Sequence, residues 1–456
     1  VDDAQYEEEL MNLEAHPTVK WYRQRDATQL GADRSARLDP QRLKGLCIEA
    51  GADDVGFVEI DRPAISDQRN ELLDVFPATR TLICIAHRLH RENTRTVAHS
   101  ATNLEFQQAW KDANRTARTI AFQLQELGFG ALNVPVGFPM EIDRWPDKMW
   151  LSTDKVNATE AGLGRMGWNR LVLHPRFGSN IILGTILTDA ELTSYSAPLE
   201  FDPCIECKLC VSVCPVGAVA ADGNFDFVSC YTHNYRERMG GFADWVANVV
   251  ASRSLKDYRT RVSDSETVSM WQNLSIGGQT RCDRCMAVCP AGEEAIGAFL
   301  EDRKGYTEAL VKKMHSKQET VYVVPGSDAD AYVTSRFPHK KVKRVSNGLR
   351  PNSVTMFLKS LPIVFQRQQA EGLNATFHFT FTGDEKCKGT VIIRDKTVTV
   401  QDDLLGAADL HVTADSRTWI RFLAKEASLP WALVSRRIRI KGSPKLMMAF
   451  AKCFPA

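Results

Sequence analysis

Twelve cysteines stand in this 456-residue chain, and eight of them fall between Cys204 and Cys289 in short-spaced runs. The first run is Cys204-x2-Cys207-x2-Cys210-x3-Cys214-Pro215. That spacing lets one tight loop present three thiolates to a 4Fe–4S cluster, and in two-cluster modules the fourth cysteine ligates the other cluster. A second run, Cys282-x2-Cys285-x3-Cys289-Pro290, lacks one early member, and Cys230 lies between the runs to supply it. The crossover rule assigns Cys204, Cys207, Cys210 and Cys289 to one cluster. It assigns Cys214, Cys230, Cys282 and Cys285 to the other. Structural zinc is the alternative, but zinc sites use separated CxxC knuckles, and a triple run with two Cys-Pro ends suits them poorly. The remaining Cys47, Cys84, Cys387 and Cys453 sit in apolar contexts and read as small core residues. A chain of this length is no small disulfide scaffold.

A second motif, Gly162-Leu-Gly-Arg-Met-Gly167, spells GxGxxG, with Asp189 downstream at the end of an apolar strand. Dinucleotide binding requires a strand immediately before this motif and a helix immediately after it. Polar Ser152–Glu160 precedes it, and Leu171–Leu173 runs straight into His174-Pro175 and a Phe177-Gly178 turn. The pattern therefore argues against a nucleotide and leaves the glycines free to bring backbone close to another flat cofactor.

The elements that must position these groups divide into zones. Residues 1–37 form a polar, helix-prone N-terminal arm. Residues 38–199 have α/β texture, with buried strands at Arg80–Ala86 and Ile181–Leu187 and an amphipathic helix at Ala109–Leu127. Residues 200–300 hold the cysteines and a helical insert, with apolar faces at Phe242–Val250 and Val268–Leu274. Residues 301–345 read as a charged connector, in which Arg336–Arg350 carries six Lys/Arg and no acid. From 346 to 456 the texture is α/β again. Val354, Phe357, Leu358, Leu361 and Phe365 stripe a helix, and Phe377, Phe379 and Phe381 alternate as a half-buried strand.

The stretch Ala161–Asn169, with His174–Ser179 and Leu183–Asp189 behind it and two ferredoxin-type cysteine runs next, resembles the corrinoid-binding signature of the reductive dehalogenase and epoxyqueuosine reductase superfamily. The resemblance spans residues 38–300. It implies a nitroreductase-like α/β domain holding base-off cobalamin, followed by a bacterial ferredoxin-like module with two 4Fe–4S clusters. Gly162, Leu163, Gly164, Gly167, Asn169, His174, Pro175, Phe177, Gly178 and Ser179 would then lie against the corrinoid.

Catalytic expectations follow from the same likeness. Dehalogenases carry a His-Lys pair where this chain has Asp154-Lys155, which makes Lys155 a candidate proton-relay cation. Their proton-donating tyrosine has no counterpart, since no Tyr lies between Tyr22 and Tyr195. Epoxyqueuosine reductases use an aspartate shortly before the glycine motif, a role open to Asp143 or Asp147. Such a carboxyl donates a proton at neutral pH only when burial raises its pKa. His87 and His90 read as an ordinary polar strand end.

The C-terminal segments Asn374–Phe381, Ala408–Asp415 and Ile438–Gly442 resemble the sterol-carrier-protein-type fold, implying a helix-covered sheet that handles lipid or an apolar substrate. The expected activity is a cobalamin-dependent iron–sulfur reductase, dehalogenase-like, acting on an apolar organic molecule. Epoxyqueuosine-type deoxygenation of a modified tRNA base is one alternative. A lipid-binding ferredoxin or corrinoid-activating electron carrier is the other. An external low-potential donor, a ferredoxin, flavodoxin or reductase, completes the partners.

Charge nearly cancels, with 57 Lys+Arg against 56 Asp+Glu, so no global field recruits nucleic acid, which the sequence disfavours as a partner. The acidic start carries no leader-like apolar core, although Val1 is not an initiator Met. No apolar stretch approaches the ~18 residues of a membrane span. Free thiols and air-sensitive clusters suit the cytoplasm.

Overall fold

The computed structural model describes residues 13–24, 37–277 and 280–455. Its first body is a four-stranded antiparallel sheet of β1 (Asp54–Glu59), β2 (Thr81–Arg88), β3 (Ala131–Asn133) and β6 (Ile181–Thr188), ordered β1-β2-β6-β3. A two-stranded hairpin, β4 (Arg165–Met166) and β5 (Val172–Leu173), stands beside it. β2 is apolar without alternation because both of its faces are covered. On one face Ala117, Ile120 and Leu124 of helix His99–Glu126 pack over Ile83, Ile85 and Ile186, together with Cys47. On the other, Ala158, Ala161 and Leu163 pack over Leu82, Cys84 and Leu187. The long helix begins ten residues before the apolar stripe that announces it. Its first turns bury Thr102 and Asn103, polar residues invisible to a hydrophobic periodicity.

The cysteine module continues from this body. Cys230 sits on helix Phe227–Asn234, and the insert folds as helices Gly240–Ala251, Leu255–Arg261 and Asp264–Ile276. Residues 301–345 are no solvated connector. They supply the parallel pair β7 (Thr320–Val323) and β8 (Lys341–Arg344) and helix Asp328–Arg336. Val321, Val323, Ala329 and Val333 share one core with Cys210, Cys214 and Val216. The basic run finds its acids elsewhere: Lys340 Nζ donates to Glu319 (3.1 Å), Arg344 Nε to Asp330 (2.9 Å), and Lys343 pairs with Glu266.

The last body is a five-stranded sheet, β9 (Ala375–Thr382), β10 (Lys388–Arg394), β11 (Thr397–Asp402), β12 (Leu410–Asp415) and β13 (Ile438–Gly442), ordered β11-β10-β9-β12-β13. Only β9 and β12 run parallel. Phe377, Phe379 and Phe381 project into an aromatic core with Phe357, Trp419 and Phe450. The opposite face of β9 is covered too. His378 lies under Leu405, within 3.1 Å of its carbonyl, and the Thr376 amide donates to Asp409, so the strand expected to be half-buried is nearly enclosed. Of the N-terminal arm, Leu13–Ala15 and Pro17–Arg23 are helical and bury no side chain, and its remainder lies outside the described residues. Among the described residues no helix is long and apolar enough to cross a membrane.

The α/β body grips the second cysteine run by backbone. Glu293 and Glu294 amides donate to the Pro175 and Arg176 carbonyls (2.9 and 3.1 Å). Gly178 makes this approach possible: it holds φ +62°, and a Cβ there would stand 2.0 Å from the Ala291 carbonyl oxygen. Gly326 has a similar φ of +73° with nothing within 4 Å of its would-be Cβ. We therefore expect Gly178→Ala to cost about 1–3 kcal/mol more in denaturant unfolding than Gly326→Ala, because only the former adds a backbone clash. Equal losses in the two variants would mean that the grip does not depend on this contact.

Candidate active site

One cavity of 1310 Å³ opens where the three bodies meet. It exceeds the ~1,000 Å³ upper range of ordinary small-molecule pockets. Val172, Ile181, Ile182 and Leu183 form its floor on the α/β body. Cys214, Cys230, Cys282 and Cys285 line a second side. The C-terminal body contributes Ser353, Thr355, Met356 and Lys359 from around the start of helix Val354–Val364.

The cysteines gather in two groups. Burial pushes the Cys210 thiol up to about 12, with Cys289, Cys207 and Cys204 adding to it. Burial likewise raises Cys230 and Cys285, each then pushed further by Cys282 and Cys214. Among the described residues no three His, Cys, Asp or Glu converge as ligands of a single ion. Backbone amides of Leu209, Val211, Arg284 and Ala291 donate to the sulfurs of Cys207, Cys210, Cys282 and Cys289, each favouring the thiolate. Left-handed Glu206 and Lys208 (φ 51° and 59°) curl the first run around its centre. Crowded, amide-solvated thiols of this kind fit two iron–sulfur clusters, whose positive metals would neutralise them.

Opposite the cysteines, helix Asp154–Glu160 presents its first residues to the cavity. A buried polar chain fixes them. Gln68 Nε2 donates to Asn157 Oδ1 (2.8 Å), Asn157 Nδ2 to Ser152 Oγ and Thr185 Oγ1 (2.6 and 3.2 Å), and Thr185 Oγ1 to Asp154 Oδ1 (2.7 Å). Burial raises the Asp154 carboxyl to about 7, with the Thr185 hydrogen bond pulling the other way. Lys155 Nζ donates to the Arg170 carbonyl (2.7 Å). Burial lowers the pKa of its amine, while the Cys285 and Cys230 thiols raise it.

The expected site residues divide. Lys155, Asn169 and Ser179 line the cavity, with Asn169 Nδ2 donating to the Cys285 carbonyl (3.2 Å) and Ser179 Oγ to that of Met286 (3.0 Å). Asp143 and Asp147 stand at its rim, exposed rather than buried, and Asp147 accepts from Lys359 Nζ (2.8 Å).

Gly162, Leu163, Gly164, Gly167, His174, Pro175, Phe177 and Gly178 do not line it. The motif glycines serve packing within the chain: a Cβ at Gly164 or Gly167 would strike Leu173, and one at Gly162 would strike Ala197, each at 2.5 Å. His174 Nε2 meets Asp54 Oδ2 at 3.1 Å, and Phe177 is buried in the core. Against burial, hydrogen bonds from His174, Lys44 and the Val55 amide hold Asp54 down at about 2.

Asp154, Tyr231, Tyr235 and Arg238 line the cavity without having been singled out in the sequence. Asp154 was visible only as the neighbour of Lys155. The dehalogenase resemblance implies a tyrosine upstream of the glycine motif, whereas Tyr231, on the helix of Cys230, and Tyr235, at its C-cap, reach the cavity from downstream.

Comparison with known proteins matches two stretches to family models: residues 198–220 to the 4Fe-4S binding domain, and residues 347–456 to the alkyl sulfatase C-terminal. The latter stands in place of the sterol-carrier-type domain implied by the resemblance of Asn374–Phe381, Ala408–Asp415 and Ile438–Gly442, segments whose pattern many covered sheets share. The epoxyqueuosine reductase of Bacillus anthracis is 28% identical over 138 residues, 30% of this chain and 29% of the relative. The chain thus matches under a third of the length of such curated relatives. A solved epoxyqueuosine reductase with an epoxyqueuosine-modified tRNA-Tyr stem loop superposes with TM-score 0.32 at 15% identity, covering 56% of this chain and 65% of that one. A catabolic reductive dehalogenase gives TM-score 0.38 at 16% identity, covering 61% of this chain and 35% of that one. What stands on these findings is a mixed α/β chain carrying a 4Fe-4S binding domain, with epoxyqueuosine reductases among its relatives.

Proposed function

We propose that this protein is an iron–sulfur reductase that works with a corrinoid, carrying electrons inward through two 4Fe–4S clusters to a substrate held in the central cavity. The observation that carries this reading is the shared wall space. Four cysteines of one cluster set share the lining of a single cavity with a carboxyl whose pKa lies near neutrality. Reduction needs both an electron source and a proton source at one place, and few other arrangements require them together. The cavity's size and its mixed lining fit a corrinoid, and Asn169, Ser179, Leu171 and Ile182 are the residues that would hold it. When bound, a corrinoid supplies a strongly reducing cobalt centre to the substrate.

The chain's own groups then have distinct tasks. Thr185 donates to Oδ1 of Asp154, leaving Oδ2 to carry the transferable proton. Lys155, tied to the Arg170 carbonyl, holds positive charge where negative charge develops on the substrate. Lys359 and Asp147 bridge the C-terminal body to the rim, so that body closes the cavity against water.

Of the finer readings, the relatives support epoxide deoxygenation of the epoxyqueuosine type over carbon–halogen cleavage. That brings back a modified RNA base as substrate, which overall charge had argued against.

Anaerobic reconstitution should give about eight irons per chain, falling to about four in Cys230→Ser and staying near eight in Cys387→Ser. Iron equal in all three proteins would remove Cys230 from the ligand set. Turnover should require cobalamin and be higher on epoxyqueuosine-bearing tRNA stem loops than on halogenated phenols. The reverse preference would restore the dehalogenase reading, and iron without cobalt dependence would leave an electron carrier.

Asp154 has a clear pH signature. Its native pKa of about 7 lies above the ordinary 3.8, so native stability is greatest below pH 4 and declines as pH rises through 7. Asp154→Asn should therefore unfold with a gain on the order of 1–3 kcal/mol at pH 8 and none at pH 4, while turnover falls at least ~10-fold at pH 6–7. Wild-type turnover should decline above pH 7. Unchanged turnover in Asp154→Asn would move the proton donor elsewhere.

A further inference from the structure

Three consecutive charged residues, Arg236, Glu237 and Arg238, are buried at 2%, 2% and 7% exposure just before helix Gly240–Ala251. The first two have an opposite charge at hand, although Arg236 Nε and Glu237 Oε2 are left without hydrogen-bond partners. Arg236 Nη1 donates to Asp244 Oδ2 (2.6 Å), and Glu237 Oε1 accepts from Arg281 Nε (2.6 Å). Arg238 lacks an ion-pair partner among the described residues. Its Nη2 donates to Thr280 Oγ1 (3.1 Å), and its Nε and Nη1 find no hydrogen-bond partner.

Aromatic faces surround the guanidinium instead, with the rings of Tyr235, Phe138 and Trp110 centred 4.5, 4.9 and 5.2 Å away. Such faces offset part of the cost of burying a cation but accept no hydrogen bonds in the guanidinium plane. The next residue, Met239, holds φ 51°, a strained conformation for a side chain of that size. Arg238 lines the cavity. There Arg144, Lys359 and Arg284 each have a carboxylate partner, in Glu71, Asp147 and Glu319.

We propose that Arg238 is a recognition site for an oxyanion, a carboxylate or phosphate, borne by the molecule that fills the cavity. Resting on the proposed function only in taking this cavity as the ligand site, the assignment deepens it by naming a chemical class. The planar fork offers in-plane donors to two oxygens, and the three rings hold its plane fixed while excluding water. The oxyanion has two sources: a substituent of the substrate, or the phosphate in the nucleotide tail of a bound corrinoid.

Equilibrium binding to the iron-loaded, cobalamin-free protein tests this without turnover, so it stands or falls separately from the reductase assignment. Calorimetric titration with phenyl phosphate, benzoate and the neutral benzamide should show ~10–100-fold tighter binding of an anion over benzamide. Arg238→Gln should abolish that preference, and Arg238→Lys should keep a fraction of it. In the second arm, cobalamin is compared with cobinamide, which lacks the nucleotide phosphate. A loss confined to cobalamin in Arg238→Gln identifies the cofactor as the source, and a loss confined to the phenyl anions identifies the substrate. Wild-type protein with no preference in either arm overturns the proposal even if Arg238→Gln fails to fold. So does an Arg238→Gln protein of normal iron content that keeps both preferences.

Discussion

Eight thiols crowded into two buried groups set the terms for everything around them. Burial raises Cys210, Cys230 and Cys285, and neighbouring thiols add to it, which disfavours free thiolates there and suits positive metal among them. The surrounding chain is arranged for that charge. Amides point at sulfur, left-handed residues curl the first run, and residues 301–345 wrap the cysteines in an apolar shell. Clusters held by these thiols would couple the folding of this module to its loading with iron.

The same constraint explains why the module is not an independent appendage. The backbone hydrogen bonds between Pro175–Arg176 and Glu293–Glu294 fix the second cysteine run to the α/β sheet. Through Asn169 and Ser179, the loop after the glycine motif also touches the Cys285–Met286 backbone. The motif glycines also meet close-packing requirements against Leu173 and Ala197, beside the contacts that join the sheet to the cysteines. The cavity is the space that these contacts leave.

Legibility from the sequence followed the range of the interactions. The 4Fe-4S binding domain was written in local cysteine spacing, and strands such as Thr81–Arg88 in uninterrupted apolar runs. The aromatic core of the C-terminal sheet was written in alternation. Features that depend on distant partners were not legible. The basic run near Lys340 looked solvated because its acids, Glu319, Glu266 and Asp330, lie in other elements. Asp143 and Asp147 had apolar neighbours in sequence but stand at the rim in space. Asp154 has its pKa raised by burial, and its place in the fold is fixed by a polar chain through Gln68, Asn157 and Thr185, none of which a local motif could connect to it.

Asp154, Asp283 and Arg238 line the cavity and are held there against their own solvation. A carboxyl near neutrality and a guanidinium without a counter-charge both weaken the folded state relative to solvated equivalents. Arg236, Glu237, Arg284 and Lys340 are each buried with an opposite charge at hand. Arg238 is buried on the cavity wall without one among the described residues. In the proposed reaction, a molecule entering the cavity would take its proton from Asp154 and rest its negative group on Arg238.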